Sequence, residues 1–315
     1  MHELTTLHPN GLFLRREALD FGYRDRDLRD ARRAGVVIRI RHGAYVDTET
    51  WNAKDAVGRH RLCAQAVSLT HEGNVALSHT SGAAEHGLRL WGADLSRVHV
   101  VRLDNKTGGR QHDVVYHQGT WTPDDIYAKD EMLLLGPERC ALETASLLPV
   151  EYGLVTLDSV LDLDLGNEES LWTTYKSAMR SSPRSAKLQI TLRLTRCGAQ
   201  SAGESRTRFM CWSQHLPEPT LQFHVYDEFG ILVGITDFAW PDHRLLGEFD
   251  GKIKYGRLLK PGQVAGDVVF NEKTREDRLR EVTQWAVIRF IWSELNDPRS
   301  CGERVRRLMR LGRIT

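Results

Sequence analysis

Apolar spacing divides the chain into three patterned stretches. Near the amino end, Arg15 to Phe21 is a short amphipathic run stopped by Gly22. Asp25 then stands where an N-cap belongs, Leu28 and Ala31 share one face at i and i+3, and Gly35 supplies a stop. The arginines at 26, 29, 32 and 33 lie mostly off that face. Val36 to Arg41 alternates, with Ile38 and Ile40 on one side and Val37, Arg39 and Arg41 on the other, before His42-Gly43 turns the chain into Ala44-Tyr45-Val46. The pattern predicts helix, turn, helix and hairpin. In the middle, helical patterns around Asp55 to Thr70 and Pro137 to Leu148 flank strand-like runs at Val98 to Leu103 and Val114 to His117. Two more helical stretches between Glu168 and Gly198 break at Ser182-Pro183. From Ser201 onward the order becomes helix, three strands, helix, strand, helix. The three strands are Leu221 to Tyr226, Ile231 to Phe238 and Leu245 to Asp250, with turns at Asp227 to Gly230 and Pro241-Asp242.

These patterns predict a multi-domain α/β chain. Residues 1–50 form an amino-terminal helix–hairpin domain, 51–165 a mixed α/β middle domain, 166–200 a helical connector and 201–315 a carboxyl-terminal α/β domain. With 41% hydrophobic and 27% charged residues, the 315-residue chain has enough apolar side chains to fold rather than stay disordered. Its apolar runs fall well short of the roughly 20 residues that a bilayer span needs, so no membrane association is expected. Glu3, His8 and Pro9 stand where an export signal would carry a basic cap and an apolar stretch. Five cysteines without a C-x-x-C pair argue against a disulfide framework and a thiolate zinc site, and a reduced cytoplasmic setting is predicted.

The formal net charge of +1 gives no sign of a nucleic-acid partner, but its distribution does. Residues 11–45 hold nine arginines against five acids. Further basic runs lie at Lys252, Lys254, Arg257 and Lys260 and at Arg304, Arg306, Arg307, Arg310 and Arg313, while Asp158 to Glu169 holds five carboxylates and no base. A helix with outward arginines followed by a basic-tipped hairpin is the outline of a winged helix-turn-helix. Its second helix would enter a major groove of double-stranded DNA, with the hairpin on adjacent phosphates. Arg24, Arg26, Arg29, Arg32, Arg33, Arg39 and Arg41 are the candidate DNA-binding residues; a small helical cap with a solvated charged face is the competing reading. The segments Gly11-Leu-Phe-Leu-Arg-Arg-Glu-Ala-Leu, Leu28-Arg-Asp-Ala-Arg-Arg-Ala-Gly and Ile40-Arg-His-Gly-Ala-Tyr-Val resemble the winged helix of AbiEi-type antitoxins. A looser similarity extends to about residue 160, through Ala76-Leu-Ser-His-Thr-Ser-Gly-Ala-Ala and Pro137-Glu-Arg-Cys-Ala-Leu-Glu-Thr-Ala. The resemblance implies a DNA-binding module that autoregulates its operon, a mixed α/β middle domain and a cognate toxin or defence protein as partner.

Candidate chemistry gathers on the carboxyl-terminal strands. Neighbouring strands lie about 4.8 Å apart, so Asp237 is predicted beside Glu248. Glu248, Asp250, Lys252 and Lys254 would share one face if the extended geometry continues past Gly251. Carboxylates from two strands with a lysine on the same face suit Mg²⁺ or Mn²⁺, held by Asp237 and Glu248, and metal-assisted phosphodiester hydrolysis. Gly203-Glu-Ser-Arg-Thr-Arg, Gly234-Ile-Thr-Asp-Phe-Ala-Trp-Pro, Gly247-Glu-Phe-Asp-Gly-Lys-Ile-Lys-Tyr and Lys273-Thr-Arg-Glu-Asp-Arg-Leu-Arg resemble the Vsr-like branch of the PD-(D/E)XK nuclease superfamily, from about residue 200 to the end. The resemblance implies a restriction-endonuclease-like fold with Glu204, Asp237 and Glu248 as the acidic set and Asp250 adjoining. The pattern departs where Glu248-Phe249-Asp250 lacks the expected lysine, leaving Lys252 and Lys254 as rivals. Lys254-Tyr255 replaces the histidine that such enzymes often carry.

Each of these residues also has an ordinary structural role open to it. Ser201-Ala-Gly-Glu204 is also a capping box, and Asp250-Gly251 an ordinary turn signal. Lys273 and Asp277 are spaced as a surface pair. The histidines at 79, 86, 112 and 117 lack metal-ligand spacing and read as hydrogen-bonded structural groups. Two functions are therefore expected to compete. One is a Mg²⁺-dependent DNA endonuclease in phage defence or a toxin–antitoxin setting. The other is a non-catalytic DNA-binding regulator or type IV antitoxin whose nuclease-like domain serves for binding.

Overall fold

A computed structural model describes residues 2–104, 106–118, 121–251 and 265–312. Packing divides the chain into two units, Met1–Arg193 and Leu194–Thr315, both of mixed α/β character. Among the described residues no helix is long and apolar enough to cross a membrane.

The first unit begins with α1 (His2–Thr5), β1 (Leu12–Leu14), α2 (Arg15–Asp20), α3 (Asp25–Arg33), β2 (Val37–Arg41) and β3 (Ala44–Asp47). The three strands form an antiparallel sheet in the order β1-β3-β2. The cap of α3 sits one residue earlier than its spacing predicts. Arg24 is the N-cap, and its N–H donates to the Asp27 carboxylate at 2.8 Å, while Asp25 instead receives Arg15 Nε at 2.7 Å. Gly35, at φ +71°, takes the left-handed conformation that ends the helix. Alternation places Val37 with Arg39 on the outer face, but Val37 is buried with Leu4, Phe13, Ala18, Leu28 and Tyr45. A register shift between Arg39 and Arg41 accompanies this change. β1 is buried throughout: Phe13 joins that cluster, whereas Leu12 and Leu14 join Ala44, Ala66 and Leu69.

Ala66 and Leu69 belong to α5 (Ala56–His71), which follows α4 (Thr48–Ala53). Beyond α5 come β4 (Val75–Leu77), α6 (His79–Glu85), β5 (Val98–Arg102), β6 (Gly109–Gln111), β7 (Val114–His117), β8 (Ile126–Lys129) and β9 (Met132–Leu135). They make a six-stranded sheet ordered β6-β7-β5-β4-β9-β8. α7 (Pro137–Leu147), α8 (Val150–Asp162) and α9 (Glu168–Thr174) follow, then a π-helical turn at Tyr175–Met179 and α10 (Ser185–Leu194). Their shared core includes Leu135, Cys140, Leu142, Leu157 and Leu188. The acidic stretch is partly structural, since Asp158 is buried and Asp162 pairs with Arg89.

The second unit holds α11 (Ala202–Ser213), β10 (Thr220–Tyr226), β11 (Leu232–Trp240), β12 (Leu245–Asp250), α12 (Ala265–Thr283), β13 (Ala286–Ile291) and α13 (Pro298–Gly312). This is the order of elements that the spacing predicts. β10, β11 and β12 run antiparallel, and β13 returns parallel to β12 through the α12 crossover. Phe238, Phe290, Leu245, Val305 and Met309 fill the core between the sheet and the flanking helices. Pro241–His243 is a 3₁₀ turn between strands, as expected.

At Gly203 the first turn of α11 lies directly on the Phe249 ring, so any Cβ there would collide with it. Gly203→Ala is expected to cost about 1–3 kcal/mol through overpacking, seen as a lower thermal midpoint. Adding Phe249→Leu should recover part of the loss. Equal midpoints for Gly203→Ala and the native chain would refute this packing.

Candidate functional site

On α3, Leu28 and Ala31 turn inward while Arg29, Arg32 and Arg33 recur at i, i+3 and i+4 on the exposed side. Arg24, Arg26 and Arg39 are also exposed. Several of these charges are moderated by neighbours. Arg24 lies 3.5 Å from Asp27, Arg26 lies 3.7 Å from Asp30, and Arg33 lies 3.9 Å from the same Asp30. Asp25 is held below its usual carboxylate range first by its bond to Arg15 and then by the charge of Arg29. Exposed pairs of this kind contribute little to stability and give way readily to a stronger anion.

Arg41 departs from the predicted basic surface. Its side chain is largely buried, with Nε 3.2 Å from Asp113 and Nη1 donating to Thr70 Oγ1 at 2.9 Å. Its charge joins the hairpin to the six-stranded sheet. Residue spacing along a strand does not reveal such a partner seventy residues away.

The predicted acidic residues occupy the second unit as follows. Extending the β11–β12 register from Phe238↔Gly247 places Asp237 opposite Glu248, and Asp237 Oδ2 accepts the Phe249 N–H at 2.7 Å. Arg275 of α12 donates to Glu248 Oε1 at 2.5 Å and to the Ile235 carbonyl at 3.0 Å. Arg289 of β13 lies 3.9 Å from Glu248, 4.0 Å from Asp250 and 2.6 Å from Glu276. The strand carboxylates thus sit within an arginine network.

Glu204 is bonded at the start of α11 and to Gln222 of β10. Ser201 Oγ donates to its Oε1 at 2.6 Å, while the Gln200 N–H donates to Oε2 at 2.8 Å. The Glu204 N–H returns a bond to Ser201 Oγ at 3.2 Å, so the carboxylate satisfies the start of its own helix. Lys252 and Lys254 lie outside the described residues.

The structure gathers one set of residues that spacing treats as scattered. Among the described residues, His79, His99 and His117 are the only three His, Cys, Asp or Glu side chains whose ligand atoms all lie within 4.8 Å of one another. They come from the start of α6, from β5 and from the end of β7. Burial and the neighbouring His79 push His99 down to about 4 and His117 to about 3, so both rings are neutral near pH 7. Burial alone would raise Glu143, but His79 and Arg139 hold it down at about 2. His86 stays apart, bonded to the Leu135 carbonyl at 2.8 Å, as a structural histidine should be.

Residues 6–46 match the family described as "Transcriptional regulator, AbiEi antitoxin". The chain is also similar to the crystal structure of the RV2827C protein from Mycobacterium tuberculosis. That likeness has 14% sequence identity and a TM-score of 0.39 over 73% of this chain and 88% of that one. No curated protein matches the chain.

Arg41→Ala is expected to destabilise the first unit, lowering its thermal midpoint, because it leaves Asp113 and Thr70 without their partner. Arg29→Ala, at an exposed position, should leave the midpoint within the usual range for surface substitutions, about 0.5 kcal/mol. A reversal of that order would mean that Arg41 is not engaged as described.

Proposed function

We propose that this chain is a DNA-binding transcriptional regulator of the antitoxin type, whose amino-terminal segment is a winged helix-turn-helix. The observation that carries the proposal is α3, anchored by Leu28 and presenting Arg29, Arg32 and Arg33 outward, beside a two-stranded hairpin. The same segment falls within the match to the antitoxin regulator family. In this reading α3 enters the major groove of double-stranded DNA, Arg39 reaches a flanking phosphate, and Arg41 holds the hairpin instead of touching DNA. A cognate toxin encoded beside it is the protein partner that the reading implies.

Double replacement of Arg29 and Arg32 by alanine is expected to weaken operator binding by about 5- to 100-fold. The salt slope should flatten by about 0.9 for each phosphate that is no longer neutralised. Fluorescence anisotropy on the upstream region of its own gene, across a salt series, measures both. Unchanged affinity and slope would remove α3 from the interface.

A second reading rests on Asp237 and Glu248, which adjacent strands of the α-β-β-β-α-β unit bring together. Under this reading the second unit is a PD-(D/E)XK-like nuclease using Mg²⁺ or Mn²⁺. Mg²⁺ is commonly held by one or two carboxylates with water and substrate phosphate completing the shell, and these two residues suit that role. Glu204 would join them only by giving up its bonds to Ser201, the Gln200 amide and Gln222. The metal would supply charge neutralisation at phosphate. Arg275 and Arg289 hold Glu248 in position, and Asp237 is oriented by the Phe249 amide. Incubating the full chain with duplex DNA and either metal tests this reading: cleavage abolished in Asp237→Asn and Glu248→Gln supports it. Cleavage that persists in both variants, or none in the native chain, leaves the regulator reading alone.

A further inference from the structure

We infer that His79, His99 and His117 form a binding site for one divalent cation of the zinc type, with its fourth coordination position open to solvent. The inference stands apart from DNA binding and from the carboxylates of the second unit. β5 and β7 are parallel neighbours in which His99 opposes Val115 and Val101 opposes His117. Since side chains alternate across a strand, His99 and His117 project from the same face, two residues apart. His79 follows β4, the neighbour on the other side of β5, and the Ser78 N–H bonds the His99 carbonyl at 3.0 Å. Three separate segments therefore deliver imidazoles to one place.

The rings are close and share a mutual orientation. His99 and His117 have centroids 5.1 Å apart, while His79 stacks on His117 with centroids 3.6 Å apart and planes 14° from parallel, so those two rings must tilt apart for their in-plane lone pairs to meet on one ion. His99 Nδ1 and His117 Nε2 face one another at 2.9 Å. Two nitrogens bound to one tetrahedral zinc at about 2.0–2.1 Å lie about 3.3 Å apart. The pair would thus open by about 0.4 Å as the ion takes the place of the shared proton. The displaced proton passes to solvent and the ring that donated it takes up a proton on its other nitrogen, a change of tautomer that leaves both ligands neutral.

The surroundings of His79 supply an independent argument. Its Nδ1 lies 3.1 Å from Glu143 Oε2 and 3.1 Å from Ser78 Oγ, which leaves Nε2, on the far side of the ring, as the nitrogen to ligate. Glu143 is buried and receives Arg139 Nε at 2.6 Å and the His79 N–H at 3.2 Å. A carboxylate bonded to the far nitrogen of a ligating histidine is the usual means of fixing tautomer and ring orientation at a metal. His99 is positioned through its backbone: its N–H donates to Ser81 Oγ at 2.8 Å, and Ser81 Oγ is bonded to His60 Nε2 at 2.9 Å.

Ligand chemistry selects the ion. Three imidazoles without thiolate or a ligating carboxylate suit Zn²⁺ or another borderline cation such as Co²⁺, and not Mg²⁺ or Ca²⁺, which prefer oxygen. Three protein ligands leave one position for water or an anion, and the partial exposure of His99 and His117 gives that position access to solvent.

The test uses the full chain without an affinity tag, stripped by chelator and dialysed. Isothermal titration with ZnCl₂ should give saturable binding of one ion per chain, lost in His99→Ala and His117→Ala. Glu143→Gln, a positioning change, should weaken binding by about 10- to 100-fold. MgCl₂ should give no saturable signal. Co²⁺ loaded into the native chain should show the intense visible absorption of a four-coordinate site without a thiolate charge-transfer band, a readout that needs no variant to fold. No saturable zinc binding, zinc binding undiminished in both histidine variants, or a thiolate band from Co²⁺ would each overturn the site and leave the three rings as hydrogen-bonded packing.

Discussion

The first unit depends on how a three-residue strand is buried. In β1 the side chains alternate between two cores, with Phe13 facing the amino-terminal helices and Leu12 and Leu14 facing α5. Burial of each large apolar side chain contributes about 1.5–3 kcal/mol, so this seam binds the helix–hairpin segment to the six-stranded sheet through apolar contact. Polar ties lie along the same junction: Arg41 with Asp113, Arg16 with Glu72, and His8 with Glu131 at 2.7 Å. A segment anchored on this side must present α3 with its opposite face outward, and that face carries Arg29, Arg32 and Arg33.

Charge is distributed by the same logic. A formal net charge of +1 conceals arginines with different physical roles. Those on α3 project into water, where they can exchange a neighbouring aspartate for phosphate. Arg139 is buried against Glu143, and Arg275 and Arg289 are engaged by strand carboxylates. A buried charge without a partner is costly, and the buried members of these pairs, Arg139, Glu143 and Glu248, each have an opposite charge beside them. Glu204 shows a related competition, in which the unsatisfied amides at a helix start claim a carboxylate that the nuclease pattern would assign to a metal.

Much of the architecture is legible in periodicity. The strand at Val114–His117, the helix opening at Pro137 and the helix–strand order after Ser201 all appear where spacing predicts them. β4 is not legible, because three residues carry too little alternation to separate a strand from a loop. The cap of α3 falls one residue from its predicted place because Arg15, ten positions earlier, attracts Asp25 and leaves the capping role to Asp27. The adjacency of Asp237 and Glu248 is readable, since both belong to consecutive strands joined by a short turn.

The histidines mark the limit of such reading. His79, His99 and His117 are separated by about twenty residues each and show no ligand spacing along the chain, yet they meet because β5 lies between β4 and β7. Sequence alone determined the local elements, the basic face of α3 and the acidic strand pair, all of which follow from nearest-neighbour sterics and alternation. Tertiary structure decided which charges face inward, which carboxylate caps a helix and which imidazoles converge. Those outcomes depend on strand order and burial, and a one-dimensional pattern does not encode the distance between residues that only the folded sheet brings together.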